Sequence, residues 1–134
     1  MQPEELCEGK FSRILWDGKS RTIGLDWKET TSTMTSEEFK AELNAFAGYV
    51  EEKKPLGIRV DVTKFHHKMT PDMQRWRVQY ISSRYNAAGV QRFVFLFPMD
   101  LKFPPMPETC EGEAFRTRAF DSQEQVNAWL TRGE

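Results

Sequence analysis

The sequence predicts an α/β fold: a single-domain mixed sheet of about five strands, in which an N-terminal hairpin leads into β-α-β crossovers, with helices mainly on one face. Three observations predict it. "FSRILWD" (11–17) and "RTIGLDW" (21–27) alternate apolar and polar residues around an Asp-Gly turn signal, the pattern of an antiparallel hairpin. "GIRVDV" (57–62) and "QRFVFLFP" (91–98) are short runs dense in branched and aromatic residues, the pattern of interior parallel strands. The segments between them change to three- and four-residue spacing, which is helical.

In order along the chain, the first helix spans about 36–53, with Phe39, Leu43, Phe46, Ala47 and Val50 on its apolar face. Thr35 and Glu38 match a capping box at its start, and Pro55 and Gly57 stop it. After the 57–62 strand, Thr70 fits an N-cap, Pro71 the first helical position and Gly89 the end of a second helix. Met73, Trp76, Tyr80 and Ile81 supply its expected buried face, widened by Val78 and Tyr85. "MDLKFPPMPETCEGEA" has three prolines in four positions and reads as a long exposed loop, because proline lacks the amide that a helix or central strand needs. "FRTRAF" (115–120) is a last strand. The helix after it takes Asp121 as cap, with Glu124 three residues on, and packs through Val126, Trp129 and Leu130. Two right-handed crossovers then give three parallel strands, with the hairpin partner antiparallel at one edge.

With 134 residues, 39% hydrophobic and 29% charged, the chain has the length and composition of one globular domain. A formal net charge of −1 supplies no general pull toward nucleic acid, and no run approaches the length of a membrane-spanning helix, so neither a nucleic-acid partner nor membrane insertion is expected. The first ten residues lack the basic start and apolar core of a signal peptide, which points to a cytoplasmic protein. In that compartment Cys7 and Cys110 are expected as free thiols.

The hairpin leading into a helix, the "RVDV" strand with its loop and helix, and the closing "RAFDSQEQVNAWL" together resemble the SpoIIAA-like (STAS/SEC14-like) family of small bacterial proteins. Arg118, Phe120, Asp121, Ala128, Trp129 and Leu130 carry the last part of that resemblance. It implies a STAS-like fold and a regulatory, protein-binding role. It also implies a hydroxyl, phosphorylated by a partner kinase, at the start of the helix after the "DVT" strand. Here Pro71 stands at that position and Thr70 one place before it, so Thr70 is the candidate for phosphorylation, while a helix cap accounts for the same threonine.

"DVTKFHHKMTPDMQRW" (61–76) holds both histidines of the chain. Adjacent histidines on a regular element point in different directions, and neither zinc-finger nor metalloprotease spacing is present, so no metal and no cofactor is expected. In an open parallel sheet this loop lies at the carboxyl ends of the strands, where ligands of α/β folds bind. Thr63, Phe65, His66, His67, Thr70 and Asp72 are therefore the candidate ligand or partner residues. Arg77 and Arg84, seven residues apart on one helical face, extend the candidate docking surface, the alternative being a basic face solvated or paired with acidic residues of the 36–53 helix.

No glycine-rich phosphate loop, G-x-S-x-G elbow or H-E-x-x-H helix is present, and no catalytic residue is assigned. The leading expectation is a non-enzymatic regulatory or protein-binding module whose partner is a protein, with a homodimer as a further possibility. The alternative is a carrier of a small apolar or anionic ligand, held between the 63–72 and 98–113 loops.

Overall fold

The computed structural model describes residues 4–67, 70–97 and 115–132. At its centre is a six-stranded mixed sheet in which strands adjacent in sequence are adjacent in space. β1 (Glu4–Glu8), β2 (Ser12–Asp17) and β3 (Thr22–Trp27) form an antiparallel meander. β3, β4 (Gly57–Asp61), β5 (Arg92–Leu96) and β6 (Arg116–Phe120) run parallel.

The count of five strands is thereby corrected to six, and that of three parallel strands to four. β1 reads "EELCE" and carries no alternating apolar signal; on an edge it needs only backbone pairing with β2. The proline-rich segment between β5 and β6, and Cys110 within it, fall outside the described residues.

Local chemistry sets the joints. In the β2–β3 turn the Asp17 carboxylate accepts from the amides of Lys19 and Ser20, and Arg21 takes a left-handed φ of 53°. Arg21 then accepts the Leu56 amide and donates its guanidinium to the Lys54 carbonyl, tying the hairpin to the start of β4. α1 (Ser36–Lys53) begins with the expected capping box: Thr35 Oγ1 accepts from the Glu38 amide at 3.1 Å and Glu38 Oε1 from the Thr35 amide at 2.9 Å. Such a cap contributes about 1 kcal/mol.

Alternation along the strands divides the core in two. Ile23, Leu25, Ile58, Val60 and Phe93 turn to one face and bury α1 through Phe39, Leu43, Phe46, Ala47 and Val50. Val94 and Leu96 turn to the other, under Val126 and Trp129 of α4 (Gln123–Arg132). Two helical segments thus cover one face, and α4 covers the β5–β6 part of the other. Ser122, one residue later than expected, stands at the start of α4, and its Oγ accepts from the Gln125 amide at 3.5 Å.

The second helical segment departs from the expected face. α2 (Pro71–Trp76) and α3 (Ser83–Ala88) are joined without a break by a π-helical turn, Arg77–Ser82. Met73, Ile81, Ser82 and Tyr85 are buried, Trp76 and Val78 are half-buried, and Tyr80 is 54% exposed. A π turn spends one residue more than an α turn, which delays every later position. Tyr80 is carried past the core and Ile81 takes its place.

Candidate functional site

The loop after β4 splits the sequence-predicted residues between opposite environments. Asp61, the last residue of β4, accepts from both the amide and the hydroxyl of Thr63 on Oδ1, at 2.9 and 2.6 Å. Phe65 turns inward against Trp27 and Phe39, at centroid distances of 5.0 and 6.1 Å. His67 stacks on Phe39 at 5.5 Å with its Nε2 buried and without a hydrogen-bond partner. His66 is exposed. The two histidines point apart as expected, and Phe65 and His67 close an aromatic cluster with Trp27 and with Phe39 of α1. No group of three His, Cys, Asp or Glu residues able to hold a metal is found among the described residues.

Thr70 is the N-cap of α2, its hydroxyl accepting from the Met73 amide at 3.2 Å, with Pro71 next to it as expected. Asp72 pairs with Arg75 on the exposed first turn. Arg77 donates Nε to Gln74 Oε1 at 3.2 Å. Arg84 is committed within the fold: Nε and Nη2 grip both oxygens of Glu51 at 3.0 and 2.6 Å, and Nη1 reaches Asn44 Oδ1 at 3.1 Å. That grip lowers the Glu51 pKa and raises that of Arg84, and it clamps α3 to α1. The paired alternative therefore holds for Arg84. What remains around it is an aromatic pair, the half-buried Trp76 and the exposed Tyr80 at 6.2 Å, with Lys40 of α1 placed 5.5 Å over the indole.

A second region carries residues that the sequence reading passed over. Because α4 meets β4 only at its first residue, Gly57, and does not reach over β3, the far face of these strands is open beyond that point. Thr22, Gly24 and Asp26 lie there in register with Gly57, Arg59 and Asp61. With Leu15, Asp17 and Ser20 on one side and Gln123, Asn127 and Leu130 of α4 on the other, they line a cleft of about 460 Å³. Arg59 lies flat across β3, and this needs Gly24: a Cβ there would come within 2.5 Å of Arg59 Nη2. Gly57 admits α4 in the same way, since a Cβ would meet Leu130 Cδ2 at 2.8 Å.

Arg59 Nη1 forms an ion pair with Asp26 Oδ1 at 3.0 Å, and Arg13 reaches Asp26 Oδ2 at 3.6 Å. Asp26 and Asp61 also border a second recess at the carboxyl ends of β3 and β4, lined by Arg13, Lys28, Thr63 and Lys64 among others. Of the candidates read from sequence, Thr63 alone lines either recess. The alternation "IGLDW" and "IRVDV" held the signal for the rest: polar residues at every second position of strands that are otherwise buried mark a face left without a helix. The carrier pocket expected between the 63–72 and 98–113 loops involves residues outside those described. No family model, no curated protein and no solved structure matches this chain.

Proposed function

We propose that this chain is a cytoplasmic, STAS-like regulatory module of the SpoIIAA-like kind, which acts by binding a protein partner rather than by catalysis. The observation that carries this reading is the outward turn of Tyr80. A tyrosine 54% exposed beside Trp76, on a helix whose charged residues from 73 to 88 are all arginines, combines an amphipathic aromatic anchor with a basic rim. π turns inside α-helices recur at functional sites, because a local departure from ideal hydrogen bonding persists only where something compensates for it. The meander, the parallel β3–β6 order and the helix following β4 agree with the family resemblance drawn from the sequence.

The test is photo-crosslinking in the bacterial host, with p-benzoylphenylalanine in place of Tyr80 and, as a control, in place of Glu37 on the exposed start of α1. One discrete adduct is expected at position 80 and none at 37. Arg77→Glu should cut its yield at least fivefold, while His66→Ala and His67→Ala leave it unchanged. No adduct at 80, or an adduct indifferent to Arg77→Glu, overturns the reading.

A further inference from the structure

At the amino ends of the parallel strands, basic residues surround an exposed leucine. The last turn of α1, the β2–β3 turn and the starts of β4 and β5 meet there, bringing Lys19, Arg21, Lys53, Lys54 and Arg92 to one end of the sheet. Backbone bonds fix the meeting. The Leu56 amide donates to the Arg21 carbonyl at 2.9 Å, and the Leu56 carbonyl accepts from the amides of Gln91 and Arg92 at 2.9 and 3.1 Å. Leu56 is thus held by its main chain among the cations, and it is 40% exposed.

These cations are not consumed within the fold. Arg21 and Arg92 donate to the main-chain carbonyls of Lys54 and Leu130, at 2.9 and 2.8 Å, and Lys53 lies over the Trp16 ring at 5.8 Å. None of the five forms an ion pair among the described residues. Of the acids on the same elements, Asp17 is turned onto the amides of Lys19 and Ser20 and Glu51 is gripped by Arg84, which leaves Glu52. The tip therefore keeps a positive excess although the whole chain carries a net charge of −1.

The C-terminal end of α1 accounts for Lys53, since helix ends of that polarity favour cations. It does not account for Leu56. Among the described residues Leu56 and Tyr80 are the large apolar side chains most open to solvent. A leucine presented inside a ring of cations complements a surface that is anionic at its face and apolar just beneath. Beside it Lys19, Ser20, Gln91, Arg92 and Leu130 complete a recess of about 290 Å³, which offers charged and neutral donors to a headgroup phosphate.

We propose that this tip docks the protein on a bilayer surface rich in anionic phospholipid, with Leu56 entering the headgroup layer and the cations meeting the lipid charges. This is adsorption rather than insertion: no helix among the described residues is long and apolar enough to cross a membrane. A single-stranded nucleic acid would also meet the charge, but it binds by stacking bases on open aromatic faces. Trp16, whose Nε1 lies beside Gly18 of the turn, is under Lys53. A small free anion would leave Leu56 in water.

The test is co-sedimentation of the full chain, at low salt, with vesicles of equal parts phosphatidylserine and phosphatidylcholine and with vesicles of phosphatidylcholine alone. Binding is expected to the first only, and it should fall as salt is raised. Lys19→Glu with Lys54→Glu should lower the partition coefficient at least tenfold. Lys10→Glu with Lys64→Glu makes the same change in net charge on exposed residues at the carboxyl ends of the strands, and should leave it within twofold. Leu56→Ser should lower it at least threefold with the salt dependence unchanged. Thermal melts check that the variants fold, and the contrast between the two vesicle types needs no variant. Absence of binding to the anionic vesicles, equal loss in the Lys10 and Lys64 pair, or indifference to Leu56→Ser overturns the proposal. So does release of the chain from the vesicles by single-stranded RNA at equal charge. Tyr80 takes no part in the tip, so the crosslinking result and this assay can fail separately.

Discussion

Thr31 holds the loop after β4 by one hydroxyl. It is fully buried in the 3₁₀ turn Glu29–Thr33, where Oγ1 donates to the Lys28 carbonyl at 2.8 Å and accepts from the His66 amide at 2.8 Å. The His66 amide thereby gains a partner 35 positions away, and the aromatic cluster of Trp27, Phe39, Phe65 and His67 is closed from above. Thr31→Val preserves shape but orphans that amide. A buried donor without an acceptor costs about 1–3 kcal/mol, so urea unfolding should show a loss of that size at unchanged m. A loss below about 0.5 kcal/mol would mean that the bond does not anchor the loop. Nothing in "ETTSTMT" separates Thr31 from its neighbours, whereas Thr70 was legible as a cap because its partner, Met73, is three residues away. The divergence of His66 and His67 was legible for the same local reason. Which of them turns inward depended on Phe39.

Among the elements, the helix from Pro71 to Ala88 shows how periodicity is overruled. Met73, Trp76 and Tyr80 have regular helical spacing, yet the core takes Met73, Ile81 and Tyr85, which lie eight and twelve positions after Met73. Removing one residue from the π turn would place Ile81 seven and Tyr85 eleven positions after Met73, on a single α-helical face. Deletion of exposed Gln79 should therefore yield a regular helix that keeps its core residues and melts at the same temperature as the parent or higher. It should also abolish the crosslink at Tyr80, a trade of binding for regularity. A deletion variant that fails to fold, or that folds and retains the adduct, would show that the π turn serves packing alone. α1 needed no such correction, because its capping box, apolar face and end lie within a single periodic stretch.

For the molecule as a whole, the sheet ends on one side in β1, whose residues Glu4, Glu5 and Glu8 are exposed. Charge along an open edge discourages pairing with a second chain. Glu4→Val combined with Glu5→Val should therefore make the light-scattering mass rise more steeply with concentration than it does for the parent. An unchanged profile would show that the edge is guarded by something other than charge. The order of the six strands also determines which face is left open. Three parallel crossovers carry the chain to β6, and α4 folds back over β5 and β6 and meets β4 only at Gly57, so the cleft around Arg59 follows from topology rather than from any motif.

The sequence by itself determined the α/β class, the hairpin, both interior strands and the limits of α1, since these rest on alternation, spacing and caps within a few residues of one another. The tertiary structure decided the edge strand, the phase of the second helix, the pairing of Arg84 with Glu51 and the meeting of Gly24, Asp26, Arg59 and Asp61. Each of these joins residues about 30 or more positions apart, or depends on backbone pairing that takes no account of side chains, and a local pattern holds no record of either.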